Sequence, residues 1–163
     1  MSRAKKNRYF GIMPQDKFSI KPKVTDSSFY NIIDTASFYK IISRSNRDYY
    51  ISRTLDTVKF EKDNTGFKFY KNGKVGLFFD VDFNDVNSLN PLKALMGYYD
   101  FKDGKLYMEF LCYNWHSGYF LDKYKSSNIK EDKIYLIWLD YDDQEVYRKQ
   151  KLSDNFLKYS PDW

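Results

Sequence analysis

Short runs of alternating apolar and polar residues recur along most of this chain, and this pattern is typical of half-buried β-strands. Two of the runs are joined by Asn72-Gly73 and two more by Asp103-Gly104. Both dipeptides accept the positive φ angles of two-residue turns, so each predicts a tight hairpin. The segment from Lys133 to Tyr141 is almost continuously apolar, which predicts a central strand buried on both faces.

Nearer the N-terminus the apolar residues follow a helical period. Between residues 26 and 45 they recur at spacings of three and four, which predicts one broken helix or two short helices. The aromatic and β-branched content of residues 38–43 also permits a strand there. Further along, Asn90-Pro91 predicts a short helix that ends near Met96, and Ser153 predicts the start of a last short helix.

Predicted strands outnumber predicted helices, and hairpin turns join many of the strands. We therefore predict an α+β fold with a mainly antiparallel sheet, one or two N-terminal helices and short additional helices. Residues 1–7 are predicted to form a flexible basic arm. Residues 8–163 are predicted to form a single domain, because no repeat or low-complexity linker divides them.

Charge adds a hypothesis about partners. The formal net charge is +5, and four basic residues with no acid lie among the first eight positions. Basic side chains bind phosphates and aromatic side chains stack on bases, so the 20% aromatic content fits nucleic acid or a nucleoprotein or protein complex as the partner. The candidate binding residues are Arg3, Lys5, Lys6, Arg8, Arg44, Arg47, Arg53, Lys68, Lys71 and Lys74.

Two of these features have alternative explanations. An AT-rich genome also enriches lysine, tyrosine and phenylalanine, and lysines in a hairpin also protect a sheet edge from pairing. A small basic chain of this composition also fits an accessory or inhibitor protein of a phage or mobile element.

The single cysteine, Cys112, excludes an intrachain disulfide and lies in an apolar run, so we predict that it is buried. No secretory signal or 18-residue apolar run is visible, which predicts a cytoplasmic protein outside the membrane.

Four residues are candidates for metal-dependent chemistry. A strand predicted from Lys74 to Phe83 would place Asp80 and Asp82 on the same face, where paired carboxylates suit a divalent cation. His116 is the only histidine, and Asp140 ends the apolar segment that begins at Lys133. Each of these positions also has an ordinary structural explanation, such as an exposed turn or strand end.

The order of these four residues resembles that of the archaeo-eukaryotic primase–polymerase superfamily. The resemblance covers only the short motifs, an apolar Asp-x-Asp, a later histidine and an apolar strand that ends in aspartate. It implies that Asp80, Asp82 and Asp140 hold Mg²⁺ or Mn²⁺ and that His116 contacts the phosphates of a nucleotide. We favour a non-catalytic binding protein without a cofactor, and the alternative is a metal-dependent nucleotidyl-transfer or phosphodiester enzyme.

Overall fold

A computed structural model describes residues 5–7, 11–13, 17–21, 27–47 and 54–163. This part of the chain is built mainly from strands: β1 (Lys5–Asn7), β2 (Gly11–Met13), β3 (Ser37–Arg47), β4 (Thr54–Lys59), β5 (Gly66–Phe69), β6 (Lys74–Phe78), β7 (Leu95–Lys102), β8 (Lys105–Asn114), β9 (Gly118–Lys130), β10 (Lys133–Trp138) and β11 (Asp143–Lys151). The helical segments are short 3-10 helices: Ser27–Asn31, Val86–Leu89, Pro91–Lys93 and Asp154–Lys158. No helix in these ranges is long and apolar enough to span a membrane.

Eight of the strands close into an antiparallel barrel. From β5 to β11 each strand pairs with the next along the chain, and β3 completes the ring between β5 and β11. β4 lies on the same edge of β3 as β5 but further along it, opposite residues 43–47. The strands β1 and β2 pair with each other in a separate two-stranded sheet. A closed ring leaves few free edges, which limits unwanted pairing with other chains.

The α+β prediction is therefore wrong, because the described chain is essentially all-β and its longest helical segments have five residues. The predicted helical region 26–45 contains one 3-10 helix followed by β3. Phe38 is buried outside the barrel, whereas Tyr39 and Ile41 are buried inside it. Burial on both faces of β3 therefore produces apolar spacings that imitate a helix. The helix predicted from Asn90 is similarly reduced to Pro91–Lys93, because β7 begins two residues later.

Aromatic side chains fill the barrel interior. The rings of Phe67 and Phe110 stack with centroids 5.3 Å apart, and Tyr147 lies 4.4 Å from Phe67. Gly97 is required beside Phe110, because a Cβ at this position would lie only 2.7 Å from that ring. Cys112 is buried in the same core, which confirms its predicted burial. The interior is a packed core of the kind that an eight-stranded barrel is wide enough to enclose.

Two sectors of the outer surface are covered by other parts of the chain. Residues 79–94 and the C-terminal residues bury a cluster around Phe38 and Phe78. Residues 17–21 cover part of β7 and β8, where Phe18 packs edge-on against Tyr98 with ring centroids 4.7 Å apart. On β9, β10, β11 and the part of β3 after Phe38, none of the outward side chains described is buried. We call this region the open sector.

Both predicted hairpin turns are confirmed, since Asn72-Gly73 and Asp103-Gly104 all have positive φ angles. The strand predicted from Lys74 to Phe83 is shorter, because β6 ends at Phe78. The apolar run from Lys133 forms β10, but only its inner face is buried. The prediction of burial on both faces is therefore wrong, and the outer face of β10 belongs to the open sector.

Candidate functional site

The carboxylates predicted to bind metal at residues 80 and 82 lie in a loop and not on a strand. Asp80 follows the end of β6 with a φ of 49°, so it does not share a strand face with Asp82 as predicted. Asp82 accepts a hydrogen bond from the backbone N–H of Asn84 at 2.9 Å. Asp85 caps the next 3-10 helix by accepting from the N–H of Asn87. The carboxylates of Asp82 and Asp85 therefore stabilise local turns.

His116 and Asp140 lie in exposed turns, His116 between β8 and β9 and Asp140 between β10 and β11. Successive hairpins alternate between the ends of the barrel, so both turns lie at the same end as the loop that contains Asp80. Within the described ranges, however, no group of three or more His, Cys, Asp or Glu residues is arranged to hold a metal ion. The metal-dependent enzyme stays a prediction without a ligand cluster to support it.

The predicted basic contacts are distributed over several places. Arg3, Arg8 and Arg53 lie outside the described residues, and Lys5, Lys6 and Arg47 are described only through their backbone. Lys71 is exposed in the β5–β6 hairpin, and Lys68 and Lys74 line the same cleft as Lys71. Arg44 points into the barrel. Among the side chains of this set that the structure describes, Arg44 therefore lies apart from the three hairpin lysines.

Arg44 forms an ion pair inside one end of the barrel. Its Nη2 lies 2.5 Å from Oε1 of Glu145, whose side chain has no solvent exposure. The hydroxyl of Tyr147 donates to the other carboxylate oxygen at 2.6 Å. Burial raises the pKa of Tyr147 well above its usual value, and the Glu145 charge adds to this effect. The guanidinium of Arg44 also lies over the rings of Phe60 and Trp138. These contacts hold Arg44 at the end of the barrel, where 36% of its side chain remains exposed.

A row of four basic side chains crosses the open sector. Strand register places Lys130 opposite Lys133, Lys133 opposite Arg148, and Arg148 opposite Lys40. Buried core residues alternate with them along each strand, so all four side chains point outward. We call these residues the basic row. Like charges that face each other across a sheet are destabilising, so folding alone does not favour this arrangement.

Few negative charges offset the basic row. Arg148 lies 3.5 Å from Asp132, but both side chains are about half exposed and such a pair contributes little. Lys40 donates to the backbone oxygen of Glu61 at 3.3 Å. A groove of about 700 Å³ lies beside the row, and Lys40, Lys59, Arg148 and Lys149 line it together with a single carboxylate, Glu61. Glu131 and Asp132, in the turn between Lys130 and Lys133, together with Glu61 compensate part of the positive charge of the row.

Aromatic side chains accompany these charges. Tyr135 is the next outward residue after Lys133 on β10, and it is half-buried. Tyr107 lies at the border of the sector, with the ammonium of Lys125 5.6 Å from its ring. The side chain of Trp115 is 89% exposed, but it lies in the turn between β8 and β9, at the opposite end of β9 from Lys130. The sector thus offers cations for phosphates and rings for stacking on bases.

The sequence analysis did not identify any member of the basic row. Lys130 and Lys133 flank a turn at Glu131-Asp132, where Glu131 has a φ of 56°. This local hairpin could have been recognised in the sequence, and it would have predicted that the two lysines face each other. The pairing of Arg148 with Lys40 joins strands from opposite ends of the barrel sequence. No local pattern indicates such a contact.

Comparisons with known proteins leave function to be argued from geometry. The resemblance to the primase–polymerase superfamily, which was drawn from short motifs, stays a prediction. The basic row and the neighbouring aromatic side chains instead indicate that the open sector is a binding surface. Searches of protein-family models, of curated proteins and of solved structures found no match to this chain.

Proposed function

We propose that this protein binds single-stranded nucleic acid on the open sector of its barrel. The observation that supports the proposal most directly is the basic row, in which Lys130, Lys133, Arg148 and Lys40 face one another across four strands. A phosphate backbone on this row would replace repulsion among cations by attraction. Binding would also release counterions, which is the main source of affinity in such contacts.

The size of the row suits a chain of phosphates. Neighbouring strands lie about 4.8 Å apart, so three steps between strands give the row a length of roughly 14 Å. One small anion would contact only part of this length. Lys59, which lines the adjacent groove with Lys40 and Arg148, extends the positive surface beyond the row. An extended polyanion therefore matches the sector better than an isolated ion does.

The aromatic residues favour a single strand over a duplex. Tyr135 and Tyr107 lie among the lysines of the sheet, and unpaired bases stack on such rings while cations follow the backbone. Reading of duplex DNA in the major groove commonly uses a protruding helix or ribbon. In the described chain, the open sector is a sheet face without a helix across it. Unpaired bases are therefore the chemistry that this face fits.

The experiment compares two variants that lose the same charge at different places. The row variant is Lys40→Gln with Lys133→Gln and Arg148→Gln. The control variant replaces three other exposed lysines, Lys102, Lys105 and Lys158, with glutamine. Fluorescence anisotropy with a labelled single-stranded oligonucleotide, measured over a range of salt concentrations, reports affinity and its salt dependence.

We expect the row variant to bind about tenfold or more weakly than the wild type. The slope of log affinity against log salt should become shallower by about 0.7 for each phosphate that the variant no longer neutralises. The control variant should keep most of the affinity and the slope. Equal decreases in both variants, or no binding by the wild type at low salt, would overturn the proposal. In the second case a nucleoprotein or protein partner becomes the better hypothesis.

A further inference from the structure

A second basic feature lies on the outer side of the β5–β6 hairpin, away from the open sector. A cleft of about 330 Å³ opens between this hairpin and C-terminal residues 157–161. Three lysines line it, Lys68, Lys71 and Lys74, and no aspartate or glutamate is among its lining residues. Tyr70 and Tyr159 form part of its walls. The cleft is therefore positively charged and enclosed by aromatic and aliphatic groups.

Lys68 is the unusual member of this cluster, because only 4% of its surface is exposed. Its ammonium donates to the backbone oxygens of Thr35 and Phe69 and lies 5.1 Å from the ring of Tyr70. These acceptors are neutral. Burial lowers the pKa of Lys68 to about 8, and the more distant charge of Asp34 opposes this shift. A buried ammonium that lacks a carboxylate in direct contact is costly to maintain.

We propose that this cleft binds a phosphate-class anion through Lys68, Lys71 and Lys74. Phosphate oxygens accept charge-assisted hydrogen bonds from ammonium groups, and the anion would supply the directly contacting negative charge that Lys68 lacks among the described residues. The volume exceeds that of a phosphate group, so a phosphomonoester with an organic substituent fits better than the inorganic ion alone. This site lies apart from the basic row and does not depend on the function proposed for the row.

The affinity of this cleft for an anion should depend on pH. A bound anion stabilises the charged form of Lys68, so the pKa of this lysine should rise when the cleft is occupied. In the free protein Lys68 loses its proton as the pH rises through about 8. Affinity should therefore be greatest below that pH, and it should decrease above it because binding then requires uptake of a proton.

Isothermal titration calorimetry tests the site with inorganic phosphate, a nucleoside 5′-monophosphate and the corresponding uncharged nucleoside. One variant is Lys68→Met, which keeps an unbranched side chain and removes the charge. A second variant, Lys71→Gln with Lys74→Gln, changes the hairpin lysines and leaves Lys68 in place. Lys102→Gln with Lys105→Gln, in another hairpin, is the matched control.

We expect the monophosphate to bind more tightly than inorganic phosphate and the nucleoside not to bind. Each cleft variant should bind about tenfold or more weakly, whereas the control and the row variant should bind like the wild type. No binding of either phosphate by the wild type, or unchanged binding in the folded Lys71/Lys74 variant, would overturn the proposal. The latter variant decides the question if Lys68→Met does not fold.

Two sources of the anion can be distinguished in the same experiment. An oligonucleotide with a 5′-phosphate is compared with the same sequence ending in a 5′-hydroxyl, using the row variant to reduce binding elsewhere. Tighter binding of the phosphorylated end that disappears with Lys71→Gln and Lys74→Gln assigns the cleft to nucleic-acid ends. Binding of the free monophosphate alone assigns it to a small metabolite. Binding of neither overturns the site.

Discussion

Glu145 combines full burial with a charge, and Arg44 and Tyr147 are what make this arrangement possible. The carboxylate accepts from Arg44 at one oxygen and from Tyr147 at the other. Removing one partner of a buried ion pair lowers stability more than replacing both partners with apolar residues, because an uncompensated charge remains buried. The residue therefore offers a direct test of how the barrel interior is stabilised.

We predict that Glu145→Ala lowers the free energy of unfolding by about 3 kcal/mol, because Arg44 and the hydroxyl of Tyr147 both lose their acceptor. Glu145→Gln should cost less, since the amide oxygen still accepts a hydrogen bond. Arg44→Met combined with Glu145→Leu and Tyr147→Phe should recover much of the stability, because no buried polar group then lacks a partner. Urea denaturation gives these values, with Glu131→Gln in an exposed turn as the control. A decrease in Glu145→Ala no greater than in this control would contradict the role of the pair.

Among the connecting elements, the hairpin between β8 and β9 presents the most exposed large hydrophobic side chain that the structure describes. Trp115 lies at its turn, and its ring is 5.6 Å from that of Tyr113. β9 then leads from this turn into the open sector, where it carries Lys123 and Lys125 outward. Trp115 precedes the start of β9 and Lys130 ends it, so an oligonucleotide that contacts both would follow all 13 residues of this strand.

We predict that Trp115→Ala weakens binding of a single-stranded oligonucleotide by about 1–3 kcal/mol, the usual contribution of one stacked base. The salt dependence should stay unchanged, because the substitution removes no cation. Thermal denaturation should also change little, since the side chain is almost fully exposed. Trp115→Phe, which keeps a ring, should retain most of the affinity. Anisotropy measurements in which Trp115→Ala binds like the wild type would contradict the prediction.

Elements whose conformation is determined by neighbouring residues were predicted correctly from the sequence. Asn72-Gly73 and Asp103-Gly104 specify their turns by themselves, because few other dipeptides accept positive φ at both positions. The sequence analysis failed for β3, whose two faces are buried by different partners, one inside the barrel and one outside. It also overestimated the burial of β10, because an apolar run does not show whether a second layer covers it. The basic row was missed for a related reason, since its members meet only after the barrel closes.

For the whole molecule, closure of the barrel brings the proposed binding surface together. The basic row exists because β11 pairs with β3, which joins Arg148 to Lys40. Two sectors of the outside are covered by described segments, and neither of these segments covers the sector that contains this pairing. The net charge of +5 is thus unevenly distributed, with four basic side chains opposite one another on this sector. Any change that prevents closure should therefore affect stability and binding together.

Gly66 provides a test of closure, because it lies on β5 opposite Lys40 of β3. A Cβ at this position would lie 2.1 Å from the backbone oxygen of Tyr39, which cannot move away without breaking the pairing of β3 with β5. We predict that Gly66→Ala lowers the free energy of unfolding by about 3 kcal/mol or more, measured by urea denaturation. Gly104→Ala is the control, since it has open space and only the strain of its positive φ, worth about 1 kcal/mol. If Gly66→Ala were no more destabilising than this control, the tight approach of β3 and β5 would not be what closes the barrel.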